Sequence, residues 1–342
     1  MIVRLLVVVF ACCMVAMPVK AQDSFDPQAE FEAFWSLYDE HYALFDVKEV
    51  DWQAIGNIYR PEVKQNTTRA ELFAIFEAAI DHLNDIHVTV RDEKEDRFAR
   101  SGGRSIGTAE FQDGTFDMPL IESAYIDGEL FTGGGGTMRW GRIGGIGYWR
   151  ISSFSYPTTS AASDDRALEL FADAPAVIVD VRHNGGGSDA VARAITGRFA
   201  DIERLVMTSW RRIPGQGFTE AGEWHVGPSG AAAFTDRVIL LIDDRTISAA
   251  ENFAILMREF PHVTIVGETS AGALADTYEH HIGDGWVFGV PQTLLRDARG
   301  HSWEGIGVVP NLWQSGSATT IAAGKDAALD LAIAFARASR KK

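Results

Sequence analysis

The sequence predicts an α/β fold in which a core of alternating strands and helices follows an N-terminal domain of three helices. From residue 143 onward, short apolar runs alternate with glycine turns and helical segments, the pattern of βαβ units around a largely parallel sheet. Before residue 93, three segments space their apolar residues as amphipathic helices do. The 342 residues, of which 46% are hydrophobic, are enough to bury a substantial core.

Residues 1–21 are predicted to be a signal peptide. Arg4 precedes an apolar run over 5–17, and residues 19–21 form a small-x-small cleavage pattern. A run of about 13 apolar residues is shorter than the roughly 20 that a membrane-spanning helix needs. Lipoprotein attachment at Cys12 or Cys13 is an alternative. Cleavage after residue 21 predicts a periplasmic or secreted protein.

Composition excludes several kinds of function for the mature chain. Both cysteines lie in the signal segment, so a disulfide, a cysteine nucleophile and a thiolate metal site are excluded. Cleavage removes Arg4 and Lys20 and no acidic residue, which leaves 29 basic and 47 acidic residues and a formal charge of −18. Such a surface disfavours nucleic acid and anionic membranes as partners.

Residues 22–92 are predicted to form the helical domain. The segment "FEAFWSLYDEHYALF" (31–45) has its aromatic residues at the spacing of one helix face. A second helix is predicted to start at Asp51 and to stop before Pro61. A third is predicted to begin at Thr68 with a capping-box pattern. Strand-like alternation follows in "DIHVTVRDE". Residues 93–146 are glycine-rich, and we interpret them as a connecting and β segment in which "TGGGGT" is a turn or loop.

Residues 147–320 are predicted to form the α/β core. The runs "PAVIVDVR", "RVILLIDD" and "VTIVGE" are predicted strands, and the segments between them are predicted helices. The segment "GWVFGVPQTLLRD" adds strand material, and 321–342 is predicted to be a closing helix.

Ser248 is the candidate nucleophile because "DDRTISAAENFA" places it between a predicted strand and a helix. A turn of this kind exposes its side chain beside the free N–H groups of the helix N-terminus. The competing interpretation is that Ser248 only caps the helix. Gly185, Gly186 and Gly187 end the neighbouring predicted strand, so they either donate to an oxyanion or only make a tight turn.

A serine nucleophile needs a base, and the sequence leaves its identity open. No lysine occurs between Lys94 and Lys325, which excludes a Ser–Lys dyad with a lysine close in sequence. Histidines remain, and spacing alone does not choose among those after the helical domain, in the glycine turn and downstream: His87, His183, His280, His281 and His301.

Four segments occur in this order along the chain: "VIVDVRHNGGG", "RTISAAENFA", "VGETSAG" and "EGIGVVPN". Together they resemble the C-terminal processing peptidase family, on its tricorn-core and interphotoreceptor-retinoid-binding-protein-like side. The segments "YDEHYALFDVKEVDW" and "LNDIH" resemble the helical domain of that branch. The resemblance covers roughly residues 30–315 and implies a crotonase-like spiral core.

The resemblance also implies roles for individual residues. Ser248 corresponds to the nucleophile, His87 to the general base and Glu304 to a member of the charge relay. The oxyanion donors correspond to the amides of Gly185 or Gly186 and of Ala249. The implied activity is hydrolysis of peptides or unfolded proteins without a cofactor.

The chain departs from the family pattern at three places. The Ser–Lys branch of the family has a lysine after the strand that follows the nucleophile helix, where this chain has "TSAGALAD". Ile86 stands where tricorn has a serine that links histidine to glutamate. The 54 residues from 93 to 146 are too few for the PDZ domain that many members carry, so we predict none.

Other functions remain open at this point. One alternative is a non-catalytic module that binds a peptide or an apolar ligand on the same fold. A different hydrolase or an acyl-transfer enzyme on a crotonase-like core is another, although no G-x-S-x-G elbow occurs. A metal site is not expected, because no H-E-x-x-H occurs.

Overall fold

The structure is a computed structural model that describes residues 25–102, 114–155, 161–231 and 233–338. The predicted signal peptide lies outside the described residues. None of the helices within these ranges combines the length and the apolar character that a membrane crossing requires.

The helices in the described ranges include the three expected at the N-terminus. Their bounds are α1 Pro27–His41, α2 Trp52–Tyr59, α3 Arg69–Asp81, α4 Met118–Ala124, α5 Ala161–Phe171, α6 Asp189–Thr196, α7 Ala249–Arg258, α8 Ala318–Ala322 and α9 Ala327–Arg337. The side chains of Asp26, Asp51 and Thr68 accept from free N–H groups at the starts of α1, α2 and α3. The predicted starts of α2 and α3 are confirmed, whereas α1 ends at His41, short of Phe45.

The core is built on a seven-stranded sheet. Its strands are β3 Phe131–Gly133, β4 Met138–Ile143, β5 Ile146–Ile151, β6 Ala176–Asp180, β10 Arg237–Ile242, β11 Val263–Gly267 and β15 Leu312–Trp313. The spatial order is β15-β11-β10-β6-β5-β4-β3, and neighbours from β15 to β5 run parallel. The predicted βαβ alternation is therefore confirmed. The carboxyl ends of β6 and β10 meet at one edge, and the turns that follow them lie side by side.

The apolar composition of the central strands follows from burial on both faces of the sheet. All five residues of β6 are buried, and so is every residue of β10 after Arg237. Apolar residues from α5, α6 and α7 pack against one face. Apolar residues from α4 and α9 pack against the other.

The N-terminal helices share a separate hydrophobic core with a second sheet. This sheet has the order β12-β13-β1-β2, with β12 Thr277–Ile282, β13 Trp286–Pro291, β1 Thr89–Asp92 and β2 Arg97–Arg100. Phe34 on α1 packs against Phe76 on α3 at 4.4 Å between ring centroids and against Phe288 on β13 at 5.3 Å. Strands from distant parts of the sequence thus fix the helical domain against the core.

A third sheet includes one strand from the predicted strand material of 285–297, and this sheet and the connecting segment also contain elements that no local pattern indicated. β7 Arg204–Ile213 pairs with β8 Gly217–Phe218, β9 Gly222–Val226 and β14 Thr293–Asp297. The described part of 93–146 contains β2, α4, β3 and β4, and residues 134–136 of the predicted glycine turn form one 3₁₀ turn. The absence of a PDZ domain stays a prediction.

The last helix is attached to the sheet through buried ions. Arg182 follows β6 and donates to Asp180 at 2.7 Å and to Asp326 at 2.9 Å. Asp326 also caps α9 by accepting from the Leu329 N–H at 3.0 Å. A single carboxylate therefore both caps the helix and balances a buried guanidinium.

Asp326→Ala is expected to lower the free energy of unfolding by about 3 to 5 kcal/mol, because it removes a helix cap and one partner of a buried charge. The measurement is urea unfolding at neutral pH, with exposed Asp236→Ala as the control. Equal losses in the two variants would show that the buried ion pair does not stabilise the attachment of α9.

Candidate active site

Ser248 lies in the turn between β10 and α7 with an unusual backbone conformation. Its φ of 60° and ψ of −129° lie in a region that residues other than glycine rarely adopt. Two contacts hold the turn: the Thr246 hydroxyl donates to the Val181 carbonyl at 3.1 Å, and the Ile247 N–H donates to the Asn184 carbonyl at 3.0 Å. Strain at one residue, fixed by its neighbours, is typical of functional turns.

The glycine turn after β6 lies directly against this serine. A Cβ atom on Gly186 would come within 2.7 Å of the Ser248 Cβ and 2.9 Å of the Ala249 nitrogen, and Gly186 has a φ of 93°. The Asn184 side chain fixes the turn by accepting from the Gly186 N–H at 2.9 Å and donating to the Ile151 carbonyl at 3.0 Å. Glycine is therefore required at position 186 for both space and conformation.

Within the ranges that the structure describes, both turns carry backbone N–H groups without an acceptor. Among the described residues, the N–H groups of Gly185, Gly187 and Ala249 have no hydrogen-bond acceptor, whereas that of Gly186 is taken by Asn184. The Ala249 N–H is also at the positive end of α7. The arrangement offers donors to a developing negative charge.

Glu251 holds the third loop of the site in place. Its carboxylate accepts from the Ser270 hydroxyl at 2.6 Å and from the N–H groups of Gly272 and Ala273 at 2.7 and 2.8 Å. The Ala273 carbonyl in turn accepts from the Ser248 N–H at 2.9 Å. Burial raises the pKa of Glu251, and these hydrogen bonds oppose the rise. Ser270 thus has a structural contact with Glu251.

Glu304 is buried beside the same loop. Its Oε2 accepts from the N–H groups of Leu274 and Ala275 at 3.0 and 3.2 Å, and its Oε1 lies 3.9 Å from the Lys48 ammonium. Burial, aided by the charge of Asp85, raises the pKa of Glu304 to about 8, and Lys48 opposes this rise. Within the described residues, Oε1 accepts no hydrogen bond.

His87 follows α3 in a buried segment. Its N–H donates to Asp85 at 3.0 Å, and the Tyr42 hydroxyl donates to the other oxygen of Asp85 at 2.8 Å. Burial lowers the pKa of the His87 imidazole; Asp85 opposes the shift, and Arg100 and Lys48 add to it. In the part of the chain that the structure describes, the ring Nδ1 has no partner, and no hydrogen bond joins the ring to Ser248 or to Glu304.

Three of the other candidate histidines have contacts of their own. His183 lies 3.2 Å from an oxygen of Asp243. His280 packs against His41 with the ring centroids 4.7 Å apart, and His301 packs against Trp303 at 4.5 Å. Among the described residues, no group of three metal-ligating side chains comes together.

The structure thus brings Ser248, Gly186 and Ala249 into direct contact, and it places Glu304 and Asp85, which accepts from the His87 N–H, within 4.0 Å of the Lys48 ammonium. Lys48, Asn184 and Glu251 also belong to this arrangement and were not predicted as site residues from the sequence. Glu251 had a signal, since it lies three residues after Ser248 in the capping pattern. Lys48 had none, because its partners are distant in sequence.

Comparisons with known proteins agree with this architecture. The sequence pattern of Peptidase family S41 matches residues 145–313, and that of the Tricorn protease C1 domain matches residues 26–81. A putative peptidase from Parabacteroides merdae has a similar structure, with a TM-score of 0.81 and 25% identity over 92% of this chain and 98% of that one.

Two more distant structures share the fold. Mature CPAF in complex with lactacystin has a TM-score of 0.68 at 12% identity, covering 91% of this chain and 97% of its own. The photosystem II D1 C-terminal processing protease has a TM-score of 0.54 at 14% identity, covering 85% and 93%.

The two matched regions together cover the helical domain and most of the core, and the residues that carry the resemblance come together in space. The chain belongs to the C-terminal processing peptidases of family S41 and is a serine-type peptidase.

Proposed function

We propose that the protein is an exported peptidase in which Ser248 is the nucleophile, His87 the general base and Glu304 part of the charge relay. The observation that carries the proposal is the contact between the two turns, in which Gly186 lies against a serine of positive φ. Export rests on the predicted signal peptide over 1–21.

In this mechanism the Ser248 hydroxyl attacks the carbonyl carbon of the scissile peptide bond while His87 takes its proton. The oxygen of the tetrahedral intermediate accepts from the Ala249 N–H and from the glycine turn, where the N–H groups of Gly185 and Gly187 are available. His87 then gives the proton to the leaving amine. Water attacks the acyl group on Ser248 while His87 takes a proton from the water, and His87 returns this proton to the Ser248 oxygen as the acyl group leaves.

The ionisation of His87 fits the role of a base. Only the neutral imidazole takes a proton, and burial lowers its pKa from the ordinary 6.5. The neutral form therefore predominates at neutral pH. For catalysis the His87 ring has to approach Ser248 and accept a hydrogen bond from its hydroxyl. Catalytic hydrogen bonds often reach their short geometry only when substrate is bound.

Glu304 has a carboxylate oxygen, Oε1, that could accept a hydrogen bond from His87 in the charge relay. Oε1 has no hydrogen-bond partner in the described residues, and neither has the His87 Nδ1. Glu304 Oε1 lies 3.9 Å from the Lys48 ammonium, which also lies 4.0 Å from Asp85, the carboxylate that accepts from the His87 N–H. A hydrogen bond from the protonated ring to ionised Glu304, direct or through water, would stabilise the imidazolium.

Substrates are proposed to be short peptides or unfolded proteins. The serine turn lies in the core, while the proposed base comes from the segment after the N-terminal helices, so the substrate has to enter between two parts of the chain. A folded protein does not fit into such a cleft as easily as an extended chain.

Ser248→Ala is expected to abolish covalent labelling by a fluorophosphonate, and His87→Ala to reduce it to background, because labelling needs an activated serine. The measurement is mass spectrometry of the adduct, with Ser123→Ala on α4 as the control that keeps labelling. A folded wild-type protein that stays unlabelled would favour the non-catalytic binding module instead.

Gly186→Ala is expected to slow labelling about 100-fold or more, because its Cβ would displace Ser248 and the Ala249 amide. Gly185→Ala is the matched control, since a Cβ there meets nothing within 4 Å. Initial labelling rates and melting temperatures of both variants are compared. Equal rates in the two variants would contradict the close contact between the turns.

A denatured protein is expected to be cleaved faster than its folded form, because only an extended chain enters the proposed cleft. The measurement compares initial cleavage rates for one substrate protein in its native state and after reduction and alkylation, with Ser248→Ala as the blank. Equal rates for the two forms would count against a restricted entrance.

A further inference from the structure

Lys48 places its ammonium group between two carboxylates from different parts of the chain. Its Nζ lies 4.0 Å from Asp85 and 3.9 Å from Glu304, and the three side chains are 8%, 0% and 4% exposed. Nζ also donates to the Asn84 carbonyl at 3.1 Å. The Lys48 ammonium therefore contacts both the segment that carries His87, at Asn84 and Asp85, and Glu304 of the core.

The position of Lys48 is set by the turn after α1. The Lys48 N–H donates to the Leu44 carbonyl at 2.9 Å, which bends the chain so that the side chain points inward. Nearby, a cavity of about 460 Å³ lies between this turn, the 82–84 segment and residues 296–306, and both Lys48 and Glu304 line it. The ion pair thus forms part of the boundary between the helical domain and the core.

Glu304 is buried beside the carboxylate of Asp85, and the Lys48 ammonium lies within 4.0 Å of both. Burial and a neighbouring negative charge both disfavour the ionised form of a carboxyl group such as that of Glu304. Burial and Asp85 already raise the pKa of Glu304, and Lys48 is the largest influence in the opposite direction. Loss of Lys48 therefore favours protonation of Glu304.

We propose that Lys48 is a positioning residue of the active site, which favours the ionised form of Glu304 and holds the His87 segment against the core. This proposal rests on the peptidase function proposed above. It gives the N-terminal domain a direct electrostatic part in catalysis, although Lys48 itself does not touch the reacting atoms.

Several other groups face Glu304 and have to be considered in any pH profile. Glu251 from α7 also raises the pKa of Glu304. Burial, aided by Asp85, raises the pKa of the Tyr42 phenol, so its hydroxyl stays protonated. The remaining titratable and charged groups that line the shared cavity are His82, Arg296 and His301.

The sign of the pH dependence follows from these groups. The raised pKa of Glu304 means that it is ionised above about pH 8 and protonated below it. His87, with a lowered pKa, is already neutral there. The wild-type labelling rate is therefore expected to rise with pH around 8, as Glu304 loses its proton.

The test is the initial rate of fluorophosphonate labelling at Ser248 as a function of pH, for the full chain and its variants. In Lys48→Met the rise is expected to move to higher pH by about 1 to 3 units, because an opposite charge at this distance is lost. Lys48→Arg, which keeps the charge, should restore the wild-type midpoint. Lys64→Met, on the exposed surface of the same domain, is the control.

A double variant separates electrostatics from packing. Lys48→Met with Asp85→Asn removes the repelling charge together with the cation, so the midpoint should return toward the wild-type value. If the labelling rate of Lys48→Met rises at the same pH as that of the wild type, the proposal is overturned, whether the rates themselves are lower at every pH or unchanged. If wild-type protein is not labelled at all, the proposed peptidase function fails first, and the role of Lys48 fails with it.

Discussion

The arrangement of the site depends on the contact between Gly186 and Ser248. The turns after two neighbouring parallel strands approach so closely that a Cβ on Gly186 would lie 2.7 Å from that of Ser248. At this contact Ser248 has a φ of 60° and the Ala249 nitrogen lies 2.9 Å from the same Cβ position. Asn184 and Glu251 stabilise the contact from opposite sides, because each binds one of the loops that enclose the serine. A parallel sheet that brings its carboxyl ends together makes such a contact possible.

A second constraint joins the helical domain to this edge. Phe288 of β13 lies in the aromatic core of α1 and α3, and β13 pairs with β1 just after His87. The strand and the aromatic packing hold the histidine segment beside the core. Lys48, Asp85 and Glu304 lie at the same boundary, with the Lys48 ammonium 4.0 Å from Asp85 and 3.9 Å from Glu304. Packing and electrostatics thus act on the same few residues.

Local chemistry made part of this structure predictable. The caps at Asp51 and Thr68 and the buried strands β6 and β10 follow from short patterns, and the structure has them where the patterns indicate. The pairing of β1 with β13 and the contact between Lys48 and Glu304 join residues far apart in sequence, so no local pattern announces them. The sequence motifs therefore identified candidate residues, but not the cation that lies between Glu304 and Asp85.

We propose that the two turns form an oxyanion site at Ser248 and that His87 is the base. A crystal structure of a peptidyl phosphonate bound covalently to Ser248 tests both points. We expect the phosphonyl oxygen within about 3 Å of the Ala249 nitrogen and of one N–H of the glycine turn. The His87 ring should lie within hydrogen-bond reach of the Ser248 Oγ, at about 2.6 to 3.2 Å. A phosphonyl oxygen directed to solvent, or a histidine ring that stays away from Ser248, would contradict the claim.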